Sequence, residues 1–231
     1  MNPPVPILVA VDAVVFGYDK ADGVSVLLIR RRYDPHRTAW ALPGGFVLPG
    51  ETLEAAVARE LREETGVETQ YLEQLYTFGA PDRDPRQRVV SVAYFVLVRP
   101  ASLHLVADTD AAEVAWFPLD RLPDLAFDHT AILRKATERL RNKITYEPIG
   151  FELLEETFTL SDLQSLYEAL LQRPIDKRNF QKKIHQLGIL EDLGQTRSQP
   201  GSGRPARLYR FRTDKYFELK ARGTLFEVRV G

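Results

Sequence analysis

Three glutamates, Glu60, Glu63 and Glu64, crowd into five residues of a segment whose apolar spacing is that of a helix. The spacing predicts a helix over about Thr52–Thr65, stopped by Gly66. At about 100° per residue, Leu53, Val57 and Leu61 form one apolar stripe. Glu60 and Glu64 fall on that stripe and Glu63 sits beside it, while Ala55, Ala58 and Arg62 take the solvated side. Carboxylates at i, i+3 and i+4, partly inside an apolar face, repel one another and lose hydration, at a cost of several kcal/mol per uncompensated ion. A single neighbouring arginine, Arg59, cannot neutralise three. A divalent cation that prefers hard oxygen ligands would, which points to Mg2+ or Mn2+. A charged surface helix is the alternative that composition alone leaves open.

The rest of the chain narrows the chemistry. There is no cysteine, which excludes disulfides, thiolate zinc sites and a cysteine nucleophile. The four histidines, His36, His104, His129 and His185, offer no close pair at metal-ligand spacing. With 44% hydrophobic and 27% charged residues, the 231-residue chain has the composition of an ordinary globular protein. Its longest apolar run, Val5–Val11, is too short to span a bilayer and lacks the flanks of a signal peptide. A cytoplasmic protein with no membrane partner is expected.

Strand-like runs at Ile7–Phe16 and Val24–Ile29 precede a Pro/Gly loop, Leu42-Pro43-Gly44-Gly45 and Pro49-Gly50. Beyond the carboxylate helix, Gln74–Phe78, Val89–Val98 and Val114–Phe117 read as strands and Asp128–Lys143 as an amphipathic helix. Strands and helices in this order indicate an α+β or α/β sandwich. Thr145–Gly150 carries a Pro and a Gly and marks a change of pattern, giving expected domains of 1–147 and 148–231. The charge changes there too: residues 1–150 carry 17 basic and 21 acidic groups, whereas residues 173–222 carry 13 and 5. A basic second part suggests a polyanionic partner.

That part reads as helix Ser161–Gln172, turn Arg173-Pro174-Ile175, helix Asp176–Leu187, strand, a Gly/Ser/Pro-rich tip at Ser198–Pro205, and strand Ala206–Arg212. Phe180, Ile184 and Leu187 give the second helix a narrow apolar seam. Opposite lie Arg178, Gln181, Lys182 and His185, a basic and amide-bearing set suited to phosphates and base edges in a major groove. Two helices across a short turn, then a hairpin carrying Arg197, Arg204, Arg207 and Arg210, suggest a winged helix-turn-helix. The same module used for protein contacts or dimerisation is the competing reading.

Gly45, five residues, Glu51, seven residues, then Arg59-Glu60-Leu61-x-Glu63-Glu64-x-Gly66-Val67 meets the Nudix box at every fixed position. The first part of the chain therefore resembles Nudix hydrolases, which cleave nucleoside diphosphates linked to another moiety on an α/β/α sandwich with a mixed sheet. The resemblance implies that Glu60 and Glu64 are the principal metal ligands, with Glu63 assisting and the Gly45 backbone approaching the metal. It also implies that Glu51 and Arg59 brace the loop and helix by ion pairing. The catalytic base is not fixed in that family; Glu113 and Asp108, in the segment before Trp116, are candidates. Arg30 and Arg32 would share one face at the end of the second strand, with Tyr33 beside them, suited to a pyrophosphate and a base.

The box followed by Asp176-Lys177-Arg178-Asn179-Phe180 and Gly203-Arg204-Pro205-Ala206-x-x-Tyr209-Arg210 is similar to the NrtR family of Nudix-related transcriptional regulators. So are Gln74-Leu75-Tyr76-Thr77-Phe78-Gly79, Arg83-Asp84-Pro85-Arg86 and Ala126-Phe127-Asp128-His129. By that resemblance the expected function is a regulator, often of NAD biosynthesis genes, that binds a palindromic DNA operator as a homodimer and takes ADP-ribose or a related nucleotide as effector. It carries Lys177, Arg178, Asn179, Lys182 and Arg204 over as DNA-binding candidates. Many such regulators have eroded boxes, whereas this one is complete, so Mg2+-dependent ADP-ribose pyrophosphatase activity is the second expectation.

Overall fold

The computed structural model describes residues 6–68, 71–103, 105, 111–198 and 205–222, and the chain divides into two compact units, Met1–Arg139 and Leu140–Gly231. His104, Asp108 and Arg204 lie outside the described residues.

The first unit holds β1 (Leu8–Asp19), β2 (Gly23–Arg31), β3 (Trp40–Ala41), β4 (Gly44–Phe46), α1 (Leu53–Thr65), β5 (Leu72–Phe78), β6 (Val89–Leu97) and β7 (Ala111–Pro118), followed by the start of α2 (His129–Tyr146). Its seven strands form one mixed sheet on the path β3-β2-β1-β6-β5, with β4 also paired to β1 and β7 to β2. β1 and β6 run parallel from Leu8 opposite Val89 to Phe16 opposite Leu97, and the other pairings are antiparallel. These two strands are buried on both faces, which is why they read as near-continuous apolar runs. Val11, Ala13 and Val15 of β1 and Tyr94 and Val96 of β6 pack against Ala56, Val57 and Leu61 of α1.

Local chemistry sets the ends of α1. The Thr52 hydroxyl accepts from the Ala55 N–H at 3.2 Å, and Gly66 closes the helix at φ 72°, its N–H donating to the Arg62 carbonyl. The Pro/Gly loop departs from expectation, because β3 immediately precedes it and β4 lies inside it. β4 forms because Gly44 sits opposite Asp12, where a Cβ would collide with the Val11 carbonyl and come within 2.9 Å of the Asp12 Cα. Strands of two and three residues, one of them mostly glycine, carry no alternation to read.

The second unit contains β8 (Thr157–Phe158), α3 (Leu160–Leu171), α4 (Lys177–Leu187), β9 (Leu190–Arg197), β10 (Ala206–Phe211) and α5 (Thr213–Ala221), with its sheet ordered β8-β10-β9. Thr159 and Asp162 form a reciprocal capping box on α3, and the Asp176 side chain caps α4 through the Asn179 N–H at 2.8 Å. Between them Gln172 turns the chain in the left-handed region, and Glu168 accepts from the Ile175 N–H at 2.9 Å. Tyr167 packs on Phe180 across the two helices, and Phe151 stacks on Phe211. This is the winged helix-turn-helix, with β8 and α5 as additions that the sequence reading did not contain. Among the described residues, no helix is long and apolar enough to cross a membrane.

Candidate functional site

α1 and the loop before it bring the box residues together around one guanidinium. Arg59 forks onto Glu51, with Nε to Oε2 at 3.1 Å and Nη2 to Oε1 at 2.7 Å. Its Nη1 donates to Glu60 Oε1 at 2.8 Å and to Glu63 Oε2 at 3.3 Å, and Nη2 also reaches the Phe46 carbonyl at 3.1 Å. Glu51 in turn accepts from the Leu48 N–H at 2.6 Å. The hydrogen bonds from Arg59, and then that from Leu48, hold the Glu51 carboxyl below the usual carboxylate range. Those to Glu51 and Glu60 push Arg59 further up. The bracing is thus a bidentate ion pair shared with two further carboxylates.

Glu64 is the buried member of the set, and its Oε2 accepts from the Gly44 N–H at 2.8 Å. Gly45 lies directly against Glu60, where a Cβ would collide with the carboxylate. Glycines 44 and 45 therefore let the loop backbone approach both α1 carboxylates. The acids do not, however, form a ready ligand set: among the described residues no group of three Asp, Glu, His or Cys side chains is arranged to hold a metal ion. Arg59 draws Glu60 and Glu63 to itself, and Glu64 turns to the Gly44 N–H. The expectation that one arginine leaves the three acids unserved is corrected to that extent. Three carboxylates, Glu51, Glu60 and Glu63, still share one guanidinium, with Glu64 close by on the Gly44 N–H, and their surplus negative charge on hard oxygens suits a divalent cation.

The other first-unit candidates are engaged locally. Glu113 of β7 sits opposite Arg30 of β2 and pairs with it at 3.5 Å, both side chains being about half exposed. Arg30 also donates to the Thr38 carbonyl and Arg32 to the Ala111 carbonyl. Tyr33 is exposed. The candidate base and a candidate cation are therefore cross-strand partners.

Sequence reasoning missed a buried polar cluster behind the loop. Asp12, in the middle of apolar β1, meets Arg83, Ser91 and His129, and Arg83 forks onto Asp128. Burial alone would raise the Asp12 carboxyl, but His129, Arg83 and the Ser91 hydroxyl together hold it down at about 2. The lone Asp within the otherwise apolar run Ile7–Phe16 was the available signal. The motif Arg83-Asp84-Pro85-Arg86 now has a physical division: Arg83 points inward to the cluster, and Arg86 clamps Asp84 at 2.8 and 3.0 Å.

In the second unit, Phe180 and Ile184 are buried as the seam of α4. Lys177, Arg178, Asn179, Lys182 and His185 are exposed, and Gln181 is half-buried. Among the described residues, Lys177, Arg178 and Lys182 have no ion-pair partner. His185 rests its ring edge against Tyr209 of β10. The wing differs: Arg207 pairs with Asp192 at 2.7 Å, Arg210 with Glu156 and Glu191, and Arg197 with Asp162. Among the described residues, the cations of α4 without an ion-pair partner thus include Lys177, Arg178 and Lys182, whereas Arg197, Arg207 and Arg210 of the wing are paired.

Comparison with known proteins agrees with this division. The NUDIX domain family matches residues 6–140, and the NrtR DNA-binding winged helix domain family matches residues 150–211. The chain is 37% identical over 214 residues to the ADPR responsive transcriptional repressor NtrR of Acinetobacter baylyi, covering 90% of this chain and 84% of that protein. It is 43% identical over 126 residues to the ADP-ribose pyrophosphatase of Methanocaldococcus jannaschii, covering 54% of this chain and 70% of that protein. The crystal structure of Shewanella oneidensis NrtR complexed with a 27mer DNA is similar at a TM-score of 0.79 and 36% identity, covering 94% of this chain and 97% of that one. Nudix hydrolases generally use divalent metals. A complete box on a mixed sheet, a winged helix with a basic second helix, and likeness over almost the whole length lead to one assignment: the chain belongs to the NrtR family, a NUDIX domain joined to a DNA-binding winged helix domain.

Proposed function

We propose that this chain is a transcriptional regulator that binds an operator as a homodimer through α4 and takes ADP-ribose, or a related NAD-derived nucleotide, as effector in its Nudix domain. Genes of NAD metabolism are the targets this reading favours, and the cytoplasm is its compartment. The observation that carries it is the α4 face: three exposed cations, Lys177, Arg178 and Lys182, have no ion-pair partner among the described residues, on the second helix of a helix-turn-helix. Asn179 and Gln181 add amide groups able to read base edges, and His185 and Arg204 extend the candidate set. Arg30, Arg32 and Tyr33 are the proposed contacts for the nucleotide. Fluorescence anisotropy with the gene's own upstream DNA, at fixed salt, tests the reading. Tight, sequence-selective binding that ADP-ribose relieves is the expected result; affinity equal to that for random DNA would overturn it.

The complete box favours a second activity in the same chain, Mg2+-dependent cleavage of ADP-ribose to AMP and ribose 5-phosphate. Glu60, Glu63 and Glu64, with the Gly45 backbone, would hold the Mg2+ or Mn2+, which when bound activates water and neutralises charge on a pyrophosphate. Glu51 and Arg59 keep the loop and helix in register, and Glu113 is the candidate base. AMP release from ADP-ribose with Mg2+ checks this reading, and its absence would leave sensing without turnover. Gly45→Ala offers a finer check. The three heavy atoms nearest the new methyl all belong to the Glu60 carboxylate, the far end of a flexible side chain, so unfolding free energy should change by less than about 1 kcal/mol. Glu60 must nevertheless swing off its position, and Mn2+ binding followed by electron paramagnetic resonance should weaken by about tenfold or more.

A further inference from the structure

The buried cluster behind the Gly44-Gly45 loop is too costly and too specific in its contacts to be packing alone. Asp12, Arg83, Ser91 and His129 are all less than a tenth exposed. Arg83 lies between two carboxylates, its Nη2 donating to Asp12 Oδ2 at 3.0 Å, with Nε and Nη2 forked onto Asp128 at 3.1 and 2.8 Å. The Ser91 hydroxyl donates to Asp12 Oδ2 at 2.5 Å. The other Asp12 oxygen faces His129 Nε2 at 3.4 Å. On its far side, His129 Nδ1 accepts from the Leu42 N–H at 2.9 Å. Buried ion networks add little net stability, so they are better explained by what they hold in place.

What this one holds is the loop. Leu42 is tied to His129, the Pro43 carbonyl accepts from the Ala13 N–H at 2.8 Å, and Gly44 is registered opposite Asp12. The next contacts are the Gly44 N–H on Glu64 and Gly45 against Glu60. A continuous line of polar contacts thus runs from Asp128 through Arg83, Asp12 and His129 to Leu42, two residues before the first box contact. We propose that Asp12, Arg83, Asp128 and His129 are positioning residues, which fix the Leu42–Gly45 backbone and through it the Glu60 and Glu64 carboxylates of the nucleotide site. The proposal rests on the reading of that site as one for a nucleoside diphosphate.

Two variants of one residue test it in the full-length protein. In His129→Gln the side-chain amide reaches the place of Nε2, keeping Asp12 served while the Leu42 N–H loses its acceptor. In His129→Asn the amide sits at the place of Nδ1, so Leu42 keeps an acceptor and Asp12 loses its contact. Hydrogen exchange should be about tenfold faster or more at Leu42 and Gly44 in His129→Gln, with β1, β6 and α1 unchanged, and near wild type at these amides in His129→Asn. ADP-ribose affinity should fall about tenfold to a hundredfold in the glutamine variant and recover in the asparagine variant. Unchanged loop exchange in a folded His129→Gln, or equal acceleration across the whole unit in both variants, overturns the proposal. If the wild type does not bind ADP-ribose, the nucleotide reading fails, and loop exchange still decides whether the cluster holds the loop.

Discussion

The double variant Arg178→Glu/Lys182→Glu should lose at least about a hundredfold in operator affinity while keeping its unfolding midpoint. The two side chains lie one helical turn apart on the exposed side of α4, and neither has an ion-pair partner among the described residues. Neither contributes to the seam made by Phe180 and Ile184. A base-reading or phosphate contact from such a residue is worth about 1–3 kcal/mol, and about 1.4 kcal/mol is a factor of ten in affinity. Reversal also puts two negative charges against the phosphates, so the slope of log affinity against log salt should become shallower by about two or more. Anisotropy titrations at several salt concentrations measure both effects. Operator affinity equal to wild type at matched salt would remove α4 as the reading helix. ADP-ribose binding should be unaffected, since the substitutions leave the Nudix box untouched.

Arg83→Met should destabilise the protein by about 3–5 kcal/mol at neutral pH, because it removes the one cation between two carboxylates and leaves Asp12 buried without it. The loss should depend on pH in a defined direction. In the wild type the Asp12 carboxyl is held at about 2, below the ordinary aspartate value of 3.8. A lowered folded value contributes stability that is complete above the unfolded value and is lost as pH falls through about 2. That contribution is of order 2.5 kcal/mol for a shift of about two pH units. Without Arg83, burial is opposed only by His129 and Ser91, and the Asp12 value rises. The gap between variant and wild type should therefore be widest near pH 7 and narrow progressively toward pH 2. Urea unfolding at several pH values checks this, and a gap below about 1 kcal/mol at pH 7, or one that does not narrow, would contradict the assigned role of Arg83.

What the sequence made legible follows the range of the interactions. α1 could be read almost to the residue because its stripe, the Thr52 cap and the Gly66 stop are all local. β1, β2 and β6 were legible as long apolar runs, although β1 continues to Asp19, beyond the expected end at Phe16. β3, β4 and β8 are too short to show a period and exist only because longer strands lie beside them. The carboxylates of α1 were recognisable as a set, but their sharing of Arg59 depends on rotamers that spacing does not specify. Asp12 looked like an interruption in a strand, since its partners Arg83 and His129 are 71 and 117 residues away. The sign of charge on the wing was visible, whereas the pairing of Arg207 with Asp192 and Arg210 with Glu191 depends on the facing strands.

The close approach of Gly45 to Glu60 makes two positions fifteen residues apart a single steric unit, and gives the decay of such a box a direction. A lineage that keeps nucleotide recognition but gives up hydrolysis can shorten Glu60 in one step without a steric clash, because Arg59 keeps Glu51 and Glu63 as partners. Only afterwards is there room for a side chain at position 45. The opposite order begins with a collision and disturbs the Glu60 carboxylate, a proposed metal ligand, while it is still under selection. Substitution at the glutamate should therefore precede substitution at the glycine along any branch where the activity is lost. A chain that retains both, as this one does, has not taken the first step on that path.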